Sequence, residues 1–461
     1  MTLRAPIGPL AAVLGAALTS VLAGLLISTD RLFVPVALAL LVAFLVVAAV
    51  NESLLLSLLV VSALLQPPLG SIGPFPELKL AEILVPSLLL LVLIRQSAAP
   101  DAAGARLDPP PREVRVVHVA VAAYAAVLAL NLLRSKYLMV TDQGAGVDRA
   151  FYDYFVAIGV YPLVYGALRS GRLSTRSLFR LCYAVALVVS VAGVAAVVLG
   201  LPLNFGGLRY SVYDYAAGGV RVGFLETVGI VGLAVVAVRA AGHPATAVVF
   251  AAAVFASGGR AAAVGAVVAV AAYLFVTRRS AYLVVAAIVA ALAVQAFPPL
   301  QQNAQVQRLS NIGGQEFEAD GRAYIYRESL RAYAANPVFG TGIGVPTVTY
   351  DPNPEIAEFY EAQLEIGGHA TYVSLLKNLG PLGLVPFLVA LLATAWGLGR
   401  AARGSRAAGF FFVVLVAQMV SMVAGGNGSD PFLFLALGGG AAVLASPRLG
   451  QPERGRAEIQ T

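Results

Sequence analysis

Apolar runs of about twenty residues recur from one end of the chain to the other, and a single long polar stretch breaks the rhythm. A hydrocarbon core roughly 30 Å thick takes about 20 apolar residues per helix, so each run predicts a membrane-spanning helix. The strand-like alternation of a transmembrane barrel is missing, which makes the expected fold class an all-α integral membrane protein. Spans are predicted near residues 7 to 28, 32 to 50, 53 to 66, 81 to 96, 115 to 133, 151 to 168, 178 to 199, 222 to 239, 243 to 257, 260 to 277, 280 to 297, 370 to 398, 407 to 424 and 431 to 446. That gives about 12 to 14 transmembrane helices and one long extracytoplasmic loop holding short helices. The run at 53 to 66 is short and precedes Pro67-Pro68, so it reads as a full span or as a tilted or re-entrant element.

The polar connections sort by charge. Arg169, Arg172, Arg176 and Arg180 form an acid-free cluster; Arg278, Arg279, Arg400, Arg403, Arg406, Arg448, Arg454 and Arg456 fall on the same alternate side. The positive-inside rule makes that side cytoplasmic, with both termini there. The 97 to 114 linker, carrying Pro109-Pro110-Pro111, belongs to the same side as a flexible tether. The long interval 298 to 368 holds four arginines against nine acids, a local balance of −5 in a chain of +7, and is expected outside.

Composition agrees. With 59% hydrophobic and 12% charged residues and a mean hydropathy of +0.83, the chain has too little polar surface to coat a soluble globule of its length. The first apolar run, behind Arg4, reads as a retained span rather than a cleaved signal. Cys182 is the only cysteine, which excludes a disulfide within the chain and a cysteine-based metal cluster.

Because nearly everything else is apolar, few residues are left to carry chemistry. Arg260 opens the span beginning Gly259-Arg260-Ala261, on the outer side, where topology calls for no cation. It reads either as an arginine snorkelling to outer headgroups or as a cation meeting an anionic lipid head. Arg221, in Gly218-Gly219-Val220-Arg221, stands at the outer mouth of another span, with Glu226 close enough in helical register for a structural ion pair. In the outer loop, Gly321 to Arg331 has helical composition and includes Arg322; the helix should stop at Asn336-Pro337. The glycines of Gly340-Thr341-Gly342-Ile343-Gly344 suggest a nucleotide loop only superficially, since no strand precedes them and no lysine follows. Of the three histidines, His369 alone falls on the outer side, at the point where the loop re-enters the membrane.

The order of these motifs resembles that of the O-antigen ligase and O-antigen polymerase superfamily of membrane glycosyltransferases. The resemblance rests on Gly259-Arg260, Arg221, Arg322 ahead of Asn336-Pro337-Val338-Phe339-Gly340-x-Gly342, His369, and Gly380-x-Leu382-Gly383, within residues 205 to 400. Two positions depart from the family pattern: Ala370 follows His369 where asparagine is common, and Glu226 stands in a span whose top commonly carries asparagine. The organisation expected is 1–200 as N-terminal transmembrane helices, 201–446 as the ligase-like catalytic region including loop 298–368, and 447–461 as a cytoplasmic tail.

What the resemblance implies is transfer of a glycan from an undecaprenyl-diphosphate carrier to an acceptor hydroxyl at the outer face of a bacterial cytoplasmic membrane. The donor is the lipid-linked glycan, the acceptor a lipid or another glycan; membrane lipids are expected as partners and nucleic acid is not. Arg221, Arg260 and Arg322 are expected to hold the lipid diphosphate, because arginine offers permanently charged, bidentate contacts to phosphate. His369 is expected to act as general base in an inverting displacement. Neither metal nor cofactor is expected, since the loop acids lack a compact ligand spacing. A lipid-linked oligosaccharide flippase or other polysaccharide transporter, with the arginines along a translocation path, stays open as the alternative, as does a non-enzymatic envelope scaffold.

Overall fold

The computed structural model describes residues 52–65, 79–98, 109–137, 144–198, 223–257, 260–279, 316–343, 370–424 and 430–446. Among these residues there are twelve helices and no strand. They are α1 (Glu52–Leu65), α2 (Leu80–Ala98), α3 (Arg112–Tyr137), α4 (Gly144–Arg169), α5 (Thr175–Val198), α6 (Gly223–Ala237), α7 (Thr246–Ala256), α8 (Arg260–Val276), α9 (Glu316–Ala335), α10 (Thr371–Ala401), α11 (Arg406–Ala424) and α12 (Pro431–Ala445). The predicted spans at 7 to 28, 32 to 50 and 280 to 297 lie outside the described residues; the other eleven each coincide with a helix, and α9 is the helix expected in the outer loop. The protein is thus an all-α, multi-pass membrane protein.

Four helical stretches, Arg112–Ser135, Thr175–Ala195, Thr371–Ala401 and Arg406–Val423, are long and apolar enough to cross a membrane, and six shorter apolar helices accompany them. The 14 residues of α1 rise only about 21 Å, short of a full hydrocarbon core. The connection between the spans predicted at 115 to 133 and 151 to 168 is shorter than its polarity suggests, because α3 runs on to Tyr137 and α4 starts at Gly144. Likewise the predicted span at 243 to 257 is an 11-residue helix preceded by a turn.

The centre of the bundle is α12. Every side chain from Pro431 to Val443 is buried, so the helix is apolar all round and enclosed by α4, α10 and α11. Gly438 has no side chain to separate it from the backbone of Tyr161 in α4, the close approach that small residues permit between membrane helices. Asp430 starts α12 as its N-cap, accepting the Phe432 N–H at 2.9 Å. Burial pushes the Asp430 carboxyl up to about 6, against the opposing influence of that N–H and of Lys79.

Antiparallel pairing decides which helix ends meet. Ser421, near the end of α11, donates to the Ala261 carbonyl at the start of α8 (3.4 Å), and the Tyr372 hydroxyl at the start of α10 donates to the Met419 carbonyl (2.9 Å). Along α6, Gly229 lies against Val254 and Gly232 against Phe250, so α6 and α7 run antiparallel and the start of α6 meets the end of α7. The starts of α6, α8 and α10 therefore share one end of the bundle. At the opposite end Tyr273, late in α8, lies in the field of Arg279, Arg239 and Arg406, and Arg403 donates Nε–H to the Val276 carbonyl at 2.8 Å. Two helices finish at this second end with an arginine in the left-handed conformation, Arg239 (φ 54°) after α6 and Arg278 (φ 58°) after α8. The residue after each closes the helix by donating five residues back, Ala240 to Val235 (3.0 Å) and Arg279 to Leu274 (2.7 Å).

Candidate functional site

The site is built on a break in α10. Pro381 has no N–H, so it cannot donate to the Lys377 carbonyl four residues earlier, and Gly380 leaves helical geometry altogether (φ 62°, ψ −169°). Two carbonyls, those of Lys377 and Asn378, are thereby released inside an apolar helix, where unsatisfied backbone groups are costly. The turn that follows α9 satisfies them: Thr341 N–H donates to Lys377 (2.7 Å) and Gly342 N–H to Asn378 (3.0 Å). The approach is close enough that a side chain on Gly340 (φ 68°) would meet the backbone of Lys377 and Asn378, and one on Gly380 would meet the Val338 carbonyl. The two glycine motifs singled out in the sequence are the two halves of this one contact.

Helix α3 clamps it from the side. Asn131 Nδ2 donates to the carbonyls of Phe339 (2.9 Å) and Asn378 (3.1 Å), while its Oδ1 accepts the Ile343 N–H (3.1 Å). One turn on, Arg134 donates to the Gly340 carbonyl (2.9 Å) and the Asn336 side chain (3.3 Å), with its guanidinium over the Phe339 ring. The N–H groups of Thr341, Gly342 and Ile343 are all committed to protein acceptors, which removes the donors a phosphate-cradling loop would need. The glycine-rich run is a docking turn.

Helix α9 enters this turn and packs on α10. Its inward face carries Glu328, whose side chain is fully buried and whose Oε1 accepts from Arg331 (2.7 Å) and Arg327 (3.4 Å), both about half exposed. Glu328 Oε2 is buried and has no hydrogen-bond partner among the described residues. Ser329 is buried beside it. The second half of α9 thus presents a polar face, Glu328 and Ser329, to the bundle, and the helix ends at Asn336 on the Arg134 clamp.

Of the residues expected to carry function, Arg221 and His369 lie outside the described residues; Arg260 opens α8 and Arg322 lies in α9, with their side chains also outside them. What the structure does place are the neighbouring backbone positions. Gly223 begins α6 two residues after Arg221, and Ala370 and Thr371 lead into α10 immediately after His369. The starts of α6, α8 and α10 share one end of the bundle, and α9 is tied to α10 at Lys377 and Asn378, on that same half of the helix. Sequence reasoning missed Asn131 and Arg134. Their signal was present: two polar side chains, three residues apart on one helical face, near the end of an apolar run.

A membrane protein, all-helical among the described residues, with a polar helix locked onto a broken span is the class that fold and site define. Residues 245–388, running from the start of α7 through the break in α10, match the family model for O-Antigen ligase. The likeness to the O-antigen ligase superfamily, a family of membrane glycan-transfer enzymes, rests on this segment, about a third of the chain. No curated protein matches it. The matched segment includes Arg260, Arg322 and His369 and both halves of the turn-to-break contact, whereas Arg221, Asn131 and Arg134 precede it.

Proposed function

We propose that this protein is a glycosyltransferase that moves a glycan from an undecaprenyl-diphosphate carrier to an acceptor hydroxyl at the outer face of the cytoplasmic membrane. The observation that carries the reading is the family match over 245–388, which falls on the segment where the turn after α9 docks into the break of α10. In the reaction the acceptor oxygen attacks the anomeric carbon as the bond from that carbon to the diphosphate oxygen breaks. The lipid diphosphate leaves with the electron pair, and the acceptor proton passes to His369. A single displacement of this kind inverts the anomeric centre.

The residue types suit those steps. A neutral imidazole, with an ordinary pKa of about 6.5, accepts a hydroxyl proton at neutral pH. The charge that develops on the leaving diphosphate calls for fixed cations, the role assigned to Arg221, Arg260 and Arg322. The clamp of Asn131 and Arg134 supports the proposal by fixing the exit of the Arg322 helix against the helix that His369 precedes. Purified protein given a lipid-diphosphate glycan and a candidate acceptor should yield the lengthened acceptor and free lipid diphosphate in equal amounts. Export of intact lipid-linked glycan across proteoliposomes, without release of lipid diphosphate, would instead identify a flippase.

A further inference from the structure

At the arginine-rich end of the bundle, away from the docked turn, α8, α10 and α11 enclose an open groove of about 540 Å³. Val276, Leu392, Trp396 and Phe412 line its apolar part, and Arg400 and Arg403 its outer part. Leu392, Trp396 and Arg400 follow one another at four-residue intervals, so they form a single stripe on α10 that rises about 12 Å from aliphatic to aromatic to cationic. Trp396 is 72% exposed and Leu392 56%, on a span whose outward apolar side chains face lipid. Gly399 keeps the groove open, since even a methyl group there would press on the Phe412 ring.

Charge points the same way as shape. No Asp or Glu occurs anywhere from Ile366 to Ser429, and none lines the groove among the described residues. Arg403 uses Nε–H on the Val276 carbonyl, leaving its terminal nitrogens without a partner among the described residues, and Arg400 has no described partner. Arg239, Arg279 and Arg406 gather around neighbouring Tyr273. Two guanidinium groups above an apolar slot, unopposed by carboxylate, complement an anionic head on an acyl chain.

We propose that this groove binds one anionic glycerophospholipid of the adjacent leaflet, its phosphate on Arg400 and Arg403 and an acyl chain along Trp396, Leu392 and Phe412. The occupant is a resident lipid and is separate from the donor of the transfer reaction, which belongs to the opposite end. Bound there, it sits between α8, α10 and α11, beside the turn at 402–405 that joins α10 to α11 and carries Arg403.

Trp396 is the only tryptophan in the chain, so its fluorescence reports on this groove alone. In bilayers doped with brominated phosphatidylglycerol, quenching should be stronger than with the same fraction of brominated phosphatidylcholine. Arg400→Gln should weaken that preference about fivefold, and the double variant with Arg403→Gln should abolish it. Replacing Arg172 and Arg176 with Gln, at the same end but not in the groove lining, should leave it intact. Equal quenching by both lipids in the parent overturns the proposal, as does loss of preference in the Arg172/Arg176 variant, which would mean diffuse attraction to the whole basic end. Erasure of the preference by millimolar inorganic phosphate, but not by matched chloride, would assign the arginines to free phosphate and overturn it too. None of these readouts depends on glycan transfer.

Discussion

The two ends of the bundle both carry arginine, but they use it differently. At the end that bears the groove, Arg400 and Arg403 offer guanidinium groups to the surroundings with no acid beside them, and Arg239 and Arg278 occupy helix-terminal left-handed positions where glycine would be the easier fit. At the end where α9 docks, the described arginines are bound into the protein: Arg134 to a carbonyl and an asparagine, Arg331 to a buried glutamate. The first arrangement needs only charge and tolerates loose placement, as topology and lipid attraction do. The second fixes atoms, which is what a reaction needs and what topology alone does not require. The difference predicts that substitutions conserving charge will be mild at one end and severe at the other.

The largest effect should come from His369→Ala, with transfer reduced about 10² to 10⁴-fold while donor binding survives. The parent's rate should rise with pH through the histidine range, and that ascending limb should vanish in His369→Gln. Retained activity with an unchanged profile in the glutamine variant would reduce His369 to a hydrogen-bonding group. Next, Arg260→Lys and Arg221→Lys keep the charge but lose the fork, and each should lower turnover about 10 to 100-fold in protein that still inserts and folds. Arg172→Lys, at the other end, should turn over like the parent. Near-normal rates in all three would erase the contrast between the ends.

Arg134→Met tests the clamp itself. It leaves the Gly340 carbonyl and the Asn336 side chain without their charged donor, so thermal unfolding should show a loss of about 2 to 3 kcal/mol. If the clamp positions α9 for the reaction, kcat should fall about tenfold with little change in KM, and Arg134→Lys should recover part of it. A purely structural role would lower stability and leave kcat per folded molecule alone. Gly380→Ala should act on stability and not on turnover: its glycine-only backbone conformation (φ 62°, ψ −169°) costs about 1 to 3 kcal/mol in alanine and crowding of the Val338 carbonyl adds to that, read as earlier proteolysis after α9. Protection equal to the parent's would mean that the turn is held by something other than the break.

Much of this was legible in the chain before any coordinates. Apolar runs are a one-dimensional signal, so each of the eleven runs within the described residues coincides with a helix, most to within a few positions, and Asn336-Pro337 marked the end of α9 because proline and its predecessor resist helix. Legible in another sense were the glycine motifs at 340 to 342 and 380 to 383, visible as patterns but not as partners. Their pairing is a contact between residues some forty positions apart, created when Pro381 frees a carbonyl that Thr341 then fills. Asn131 and Arg134 were harder still, since their acceptors lie more than two hundred residues away and a polar pair at a span's edge reads as ordinary headgroup anchoring. Lengths were misjudged where polarity and helix part company, as in Leu132 to Tyr137, which stays helical beyond the apolar run.

The claim that chemistry belongs to the end where α9 docks can be put to one measurement in proteoliposomes. Cys182 is buried and is first replaced by Ala; single cysteines are then placed at the exposed positions Ser174, at the basic end, and Ala335, at the close of α9. An impermeant thiol reagent sorts the vesicles by which cysteine faces out, and a water-soluble acceptor is added only to the outside. Glycan should be transferred in vesicles that label at Ala335Cys and not in those that label at Ser174Cys. Transfer to the external acceptor in vesicles with the Ser174 face outward would contradict the assignment and move the reaction to the opposite end.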